Sequence, residues 1–174
     1  MLRIYGDSQS GNCYKIKLLL KILSIEHEWI HVDILAGETH TAEFKKMNPN
    51  SRIPVLVLNN GSILRESNAI LNFLAEGSEF LPQNPYLRAQ VLQWQFFEQY
   101  SHEPFIATAR YNNKYLGLPE ERRAEYEAKQ EGGAQSPVCD GTTTQSIRLS
   151  GRPLTDYRRH QPLCLFPCGT RWRL

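Results

Sequence analysis

From Ala134 to Leu174 the chain contains no Lys and no Glu, yet it carries six Arg and three of the four Cys. No apolar period of 3.6 or 2 persists there, so no helix or strand face gathers the charge. The whole chain lacks any run of about 18 apolar residues, which argues against a transmembrane helix. The opening MLRIYG enters a strand pattern directly, without the pattern of a signal peptide. A cytoplasmic, reducing location is therefore expected, with the Cys residues held as thiols. Cys164 and Cys168 have no His or Cys partners at metal spacing, so no metal is expected.

What is present suits a globular protein. The 174 residues can bury a core and hold one or two small domains. Apolar content of 41% is ordinary. The net charge of +2 is unevenly spread: residues 1–133 sum to −2 and residues 134–174 to +4. Arg residues scattered among Pro, Gly and Thr do not make a nucleic-acid footprint, and neither nucleic acid nor membrane is expected as a partner.

Along the chain, LRIY predicts a strand, GDSQSGN a loop, and CYKIKLLLKILS a helix with Ile16, Leu19, Leu20 and Ile22 among its apolar positions. EWIHVDI alternates as a strand and AEFKKMN is a short helix. IPVLVL, NNG and SILR make a hairpin. SNAILNFLAEG is a helix, with Ser67 placed to cap it and Gly77 just past its end. A βαβ unit closed by a hairpin predicts a four-stranded mixed sheet covered by helices, a thioredoxin-like architecture. SEFLPQNP is a connector. Beyond it Leu87, Val91, Trp94, Phe97 and Tyr100 recur at helical steps, and LPEERRAEYEAKQEGG is a further helix with Pro119 near its start. The expected fold class is an α/β thioredoxin-like domain (1–78) followed by an all-α domain (84–133). The aberrant tail (134–174) is expected to be disordered.

Four pieces stand in order: SGNCYKIKLLL, NPNSRIPVL, RESNAI, and the connector into a long helix. Over residues 1–133 the chain resembles the soluble glutathione S-transferases, in the manner of bacterial theta- and nu-like members. The resemblance implies that Pro54 follows a cis bond and that Ile53 offers its backbone to the cysteinyl part of glutathione; a cis X–Pro is rare enough to be purposeful. Glu66 and Ser67 precede a helix, whose first N–H groups suit the γ-glutamyl carboxylate, while Glu66 takes the α-amino group. The same pair also reads as a plain helix cap.

Conjugation needs a thiolate, and a donor at the start of helix one favours it. Ser10 matches the serine of theta-like members and Asn12 the asparagine of bacterial members with a Thr-x-Asn loop, so both are candidates. Tyr5 belongs to the strand, and Ser8 to loop structure. Arg52, His40 and Lys15 are candidates for the glycyl carboxylate. Cys13 opens an alternative, a glutathione-dependent disulfide reductase; it also sits where relatives carry a Cys that packs inward. The expected reaction joins glutathione, as cosubstrate, to small apolar electrophiles, in a homodimer. A further alternative is a non-catalytic or misfolded product that at most binds glutathione.

Family members carry an S/T-x-x-D capping motif, often TIAD, in a later helix, and none stands here. Allowed codons for Asp156 to Gly169, read one base later, give TIADISLYAYSHVA. Ala134 to Pro153 can be recoded likewise as HKALYVMEQQLKASDYLVGR, an amphipathic helix and connector. One extra G in the codons of Gly132–Gly133 would produce that offset. The tail composition thus points to a shifted reading frame, with an activity that the altered C-terminus compromises.

Overall fold

The structure, a computed structural model, describes residues 1–134. The expectation of a disordered tail, and the recoded residues of the frame argument, lie outside those residues apart from Ala134. The chain divides into two compact units, Met1–Leu81 and a second from Pro82 onward.

The first unit is built on β1 (Leu2–Gly6), β2 (His27–His31), β3 (Val55–Val57) and β4 (Ile63–Leu64), in the order β2-β1-β3-β4. β1 pairs in parallel with β2 and antiparallel with β3, and β4 returns antiparallel to β3. All three residues of β3 are buried, as a central strand covered on both faces requires. Alternation sends Val55 and Val57 to a cluster with Val32 and Phe44, against which Tyr5, Met47, Ile53 and Ile63 pack.

The helices are α1 (Gly11–Ile22), α2 (Ala42–Met47) and α3 (Ser67–Ala75). Helices α1 and α3 pack together. They bury Ile16, Leu19 and Leu20 on one side and Ile70, Leu71, Leu74 and Ala75 on the other. Ile22, expected among the apolar positions of α1, is at the helix end and 47% exposed. Thr41 caps α2 by accepting from the Phe44 N–H at 3.2 Å. Gly77, with φ 78°, occupies the left-handed position past α3 that favours glycine.

In the second unit Asn84 caps α4 (Pro85–Phe97), accepting from the N–H groups of Tyr86 and Leu87 at 3.0 and 3.1 Å. A π turn, Glu98–His102, joins α4 to α5 (Glu103–Arg110), and a second π turn, Tyr111–Tyr115, ends α5. A 3-10 turn, Glu120–Arg122, opens α6 (Arg123–Ala134). The expected apolar stripe is only partly buried. Val91 is enclosed, Leu87, Trp94 and Phe97 are half-buried, and Tyr100 is 86% exposed. Val91, Gln95 and Glu98 are the buried positions of this stretch. The π turn widens the helix by one residue and rotates the residues C-terminal to Phe97, so Tyr100 leaves the stripe.

Helix α6 runs through Gly132–Gly133 and packs on α5. A Cβ on Gly132 would come within 2.3 Å of the Phe105 ring, so the close approach requires glycine there. No helix among the described residues is long and apolar enough to cross a membrane.

Candidate functional site

Strand register decides which loops meet. Tyr5 opposes Val55, so the end of β1 lies beside the start of β3. Leu56 opposes Leu64, so the end of β4 lies there too. Gly6 opposes His31, so β2 ends at the same edge. The loop of Ser10, the Ile53–Pro54 peptide and the Glu66–Ser67 corner therefore converge at one end of the sheet.

The loop after β1 is folded by Asp7. Its carboxylate accepts from the Gln9 N–H at 2.9 Å and its carbonyl from the Ser10 N–H at 3.0 Å. Ser10 then takes the N-cap position of α1, with φ −69° and ψ 128°, but its side chain makes no capping bond. The Ser10 side chain instead lies near enough to the Cys13 thiol to favour its charged form. Cys13 is fully buried, beneath Gly6, whose missing side chain leaves the room: a Cβ there would stand 2.8 Å from the Cys13 Sγ. Burial pushes the Cys13 thiol up from 9.0 to about 11, against smaller opposing effects of the Ser10 side chain and the Lys15 charge. A thiol this enclosed is poorly suited to attack a disulfide.

The Ile53–Pro54 peptide is cis. Pro54 is buried and Ile53 half-buried against the Val55 cluster. Arg52 is exposed, and its carbonyl accepts from Asn48 Nδ2 at 2.7 Å. His40 is exposed at the end of a 3-10 turn, Glu38–His40, on the segment that follows β2. Glu66 is exposed with φ 64° and ψ 114°, a left-handed conformation that costs a non-glycine residue about 1–3 kcal/mol. Such strain was not readable in the sequence, and it falls at the corner where the α-amino group of glutathione was expected.

Two placements differ from expectation. Glu66, not Ser67, is the N-cap residue of α3, and its carbonyl accepts from the Ile70 N–H at 3.0 Å. Ser67 is the first residue of the helix, and its hydroxyl donates to Asn12 Oδ1 at 3.2 Å. Lys15, a candidate for the glycyl carboxylate, is 2% exposed and donates to Asn68 Oδ1 at 2.8 Å. The structure thus draws Asn12 to Ser67 and Ser10 to Cys13. Asn68 went unnoticed in the sequence; its only signal was its place beside Ser67.

This corner, with two helix starts and a strand entered through a cis proline, has counterparts in known proteins. Residues 9–76 match the family model for the glutathione S-transferase N-terminal domain. The crystal structure of a glutathione S-transferase from Pseudomonas fluorescens Pf-5 is 62% identical, with TM-score 0.74, covering 76% of this chain and 66% of that one. A glutathione transferase of Phanerochaete chrysosporium, URE2P6, was solved in complex with oxidized glutathione; it is 27% identical, with TM-score 0.65, over 76% of this chain and 62% of that one. Protein URE2 of Candida maltosa is 27% identical over 127 residues, 67% of this chain and 38% of the relative. The chain thus spans about two fifths of the curated URE2 relative and about two thirds of the Pseudomonas protein. On the fold, the corner and these likenesses together, the chain belongs to the glutathione S-transferase family.

Proposed function

We propose that the chain binds glutathione at this corner and joins its thiolate to small apolar electrophiles, in the cytoplasm and as a homodimer. The Asn12–Ser67 bond carries the reading, because it ties the start of α1, where a thiol needs a donor, to the start of α3, where a helix N-terminus favours a carboxylate. Of the two candidate donors we favour Asn12, because its side chain is bonded to Ser67 at the start of α3. Ile53 offers its backbone beside β3, Pro54 shapes that entry, and Glu66 receives the α-amino group. Arg52 and His40, both exposed, are available to the glycyl carboxylate. The complex of the Phanerochaete enzyme supports a glutathione site in this fold.

The test is conjugation of glutathione to 1-chloro-2,4-dinitrobenzene by the full chain, with glutathione binding followed by calorimetry. Asn12→Ala is expected to lower kcat/KM by about tenfold to a hundredfold. Ser10→Ala should cost less. The reverse order would reassign the donor to Ser10. Binding without turnover would favour the second reading, a glutathione-binding protein that does not catalyse.

We also infer that the reading frame shifts at Gly132–Gly133. The Pseudomonas likeness, 62% identical over 76% of this chain, supports that inference, because it leaves about a quarter of the chain unmatched. Sequencing the gene across the codons for Glu131 to Gln135 tests it: one G fewer restores HKAL and a later TIAD, whereas an unchanged frame removes the inference.

A further inference from the structure

The two helices whose first turns form the corner are joined twice. Ser67 Oγ donates to Asn12 Oδ1 at 3.2 Å. One turn along α1, Lys15 Nζ donates to Asn68 Oδ1 at 2.8 Å. The partners are consecutive on α3 and one turn apart on α1, so both bonds fix the same register between the helices. Lys15 is 2% exposed and Ser67 5%. A buried ammonium is costly even when hydrogen-bonded, and an apolar side chain would hold two packed helices at less cost. A role beyond packing accounts for its presence.

We propose that Lys15 and Asn68 are positioning residues that clasp the start of α3 to the start of α1, so that a carboxylate arriving at Ser67 is felt at Asn12. This rests on the transferase reading above. The coupling follows from hydrogen-bond capacity. The Ser67 hydroxyl has one proton to donate, and in the ligand-free chain it is committed to Asn12 Oδ1. A carboxylate at the start of α3 competes for that proton. Asn12 then changes partner or orientation, and its amide is the donor proposed for the thiolate. The γ-glutamyl end of the tripeptide thereby influences the state of its thiol. The relay works only while the helix starts keep their spacing, which is what the Lys15–Asn68 bond holds.

The test uses the full chain with Lys15→Met, Asn68→Ala and the conservative Asn68→Asp, which keeps an acceptor for Lys15. The first readout is the pKa of the bound glutathione thiol, from the ultraviolet absorbance of its thiolate across pH. Lys15→Met and Asn68→Ala should raise it by about one unit, about tenfold less thiolate at a given pH below the pKa. Affinity for S-methylglutathione, which keeps the carboxylates but cannot ionise at sulfur, should change by less than about threefold. Asn68→Asp should restore the low thiol pKa. The second readout is amide hydrogen exchange without ligand, where Lys15→Met should speed residues 12–14 and 67–70 together, by about tenfold. An unchanged thiol pKa in Asn68→Ala overturns the proposal, and so does exchange that quickens at α3 alone. A wild-type chain that does not bind glutathione overturns the transferase reading instead. The exchange comparison then decides the clasp by itself, joint acceleration upholding it and acceleration at α3 alone overturning it.

Discussion

Among the described residues, the buried apolar side chains lie almost entirely in the first unit, where Ile4, Ile16, Leu19, Leu20, Val55, Leu56, Ile70 and Leu71 are wholly enclosed. Among the described residues from Pro82 onward, Val91, Ala109 and Tyr126 are the buried apolar side chains, and Gln95, Glu98 and Asn112 are buried as well. Tyr86, Phe96 and Tyr100 are 69–86% exposed. The contrast shows two ways of closing a core. The α/β unit covers both faces of its sheet from within residues 1–81. The described helices close theirs partly on polar groups, as with Asn112, which donates to Glu125 at 3.2 Å. Buried apolar area dominates folding energy, so the two units should differ in stability and in what breaks them.

The largest effect should come from opening the first core. Leu71→Ala, at a site with no exposure, is expected to cost about 2–5 kcal/mol. Val91→Ala in the helical unit should cost about 1–2 kcal/mol. Urea denaturation followed by hydrogen exchange assigns each loss to its unit. Equal losses would erase the comparison.

Alkaline pH should weaken the first unit selectively. The Cys13 thiol is held at about 11 when folded, against 9.0 as its ordinary value. The folded chain therefore keeps a proton that the unfolded chain releases. Stability is full below pH 9 and falls as pH rises toward 11, by about 2–3 kcal/mol. Cys13→Ala should flatten that decline. In native buffer near neutrality, a thiol reagent should label Cys13 only as fast as the unit opens.

Gly132→Ala should separate the units in the other direction. In an ordinary helix interior this change gains about 1 kcal/mol. Here the added Cβ meets the Phe105 ring at 2.3 Å, and the cost should be about 1–3 kcal/mol, confined to the helical unit. Phe105→Leu in the same chain should recover part of it. A stabilising Gly132→Ala would show that α5 and α6 do not pack this closely.

Much of this contrast was legible in the residues, and the exceptions have causes. The NNG hairpin depends on local backbone chemistry and was readable, whereas the cis Ile53–Pro54 bond was expected from the family resemblance. Helix α1 starts at Gly11, two residues before the expected Cys13, because Gly11 and Asn12 resemble loop residues while Ser10 already serves as the cap position. Tyr100 was misplaced because a π turn flanked by helix leaves no mark on composition. At the site, the residue types were readable but their bonding was not. Ser67 fits a cap equally well, and only the packing of α1 on α3 turns its hydroxyl to Asn12. Lys15 reads as a surface lysine, and nothing in its neighbours along the chain says that it faces Asn68.

The smallest expected effect is at acid pH, in the helical unit. His102 ends the π turn after α4, and burial lowers its pKa from 6.5, with the Glu98 charge partly opposing. The folded chain thus resists a proton that the unfolded chain accepts. The resulting stability is present above pH 6.5 and is lost as pH falls through that value toward the depressed folded pKa. Its size is modest, because His102 is only half-buried. Hydrogen exchange at pH 7.5 and pH 5.5, values chosen about one unit either side of the ordinary histidine pKa and compared after correction for the intrinsic pH dependence of exchange, should show protection of residues 95–110 falling at the lower pH while that of β1 and α1 is unchanged. His102→Gln should remove the difference. Acid and alkali would then act on different units of one chain, the helices through a half-buried imidazole and the sheet through an enclosed thiol. Acid exchange that quickened both units equally would mean that they unfold as one, and the contrast in their cores would carry no consequence for stability.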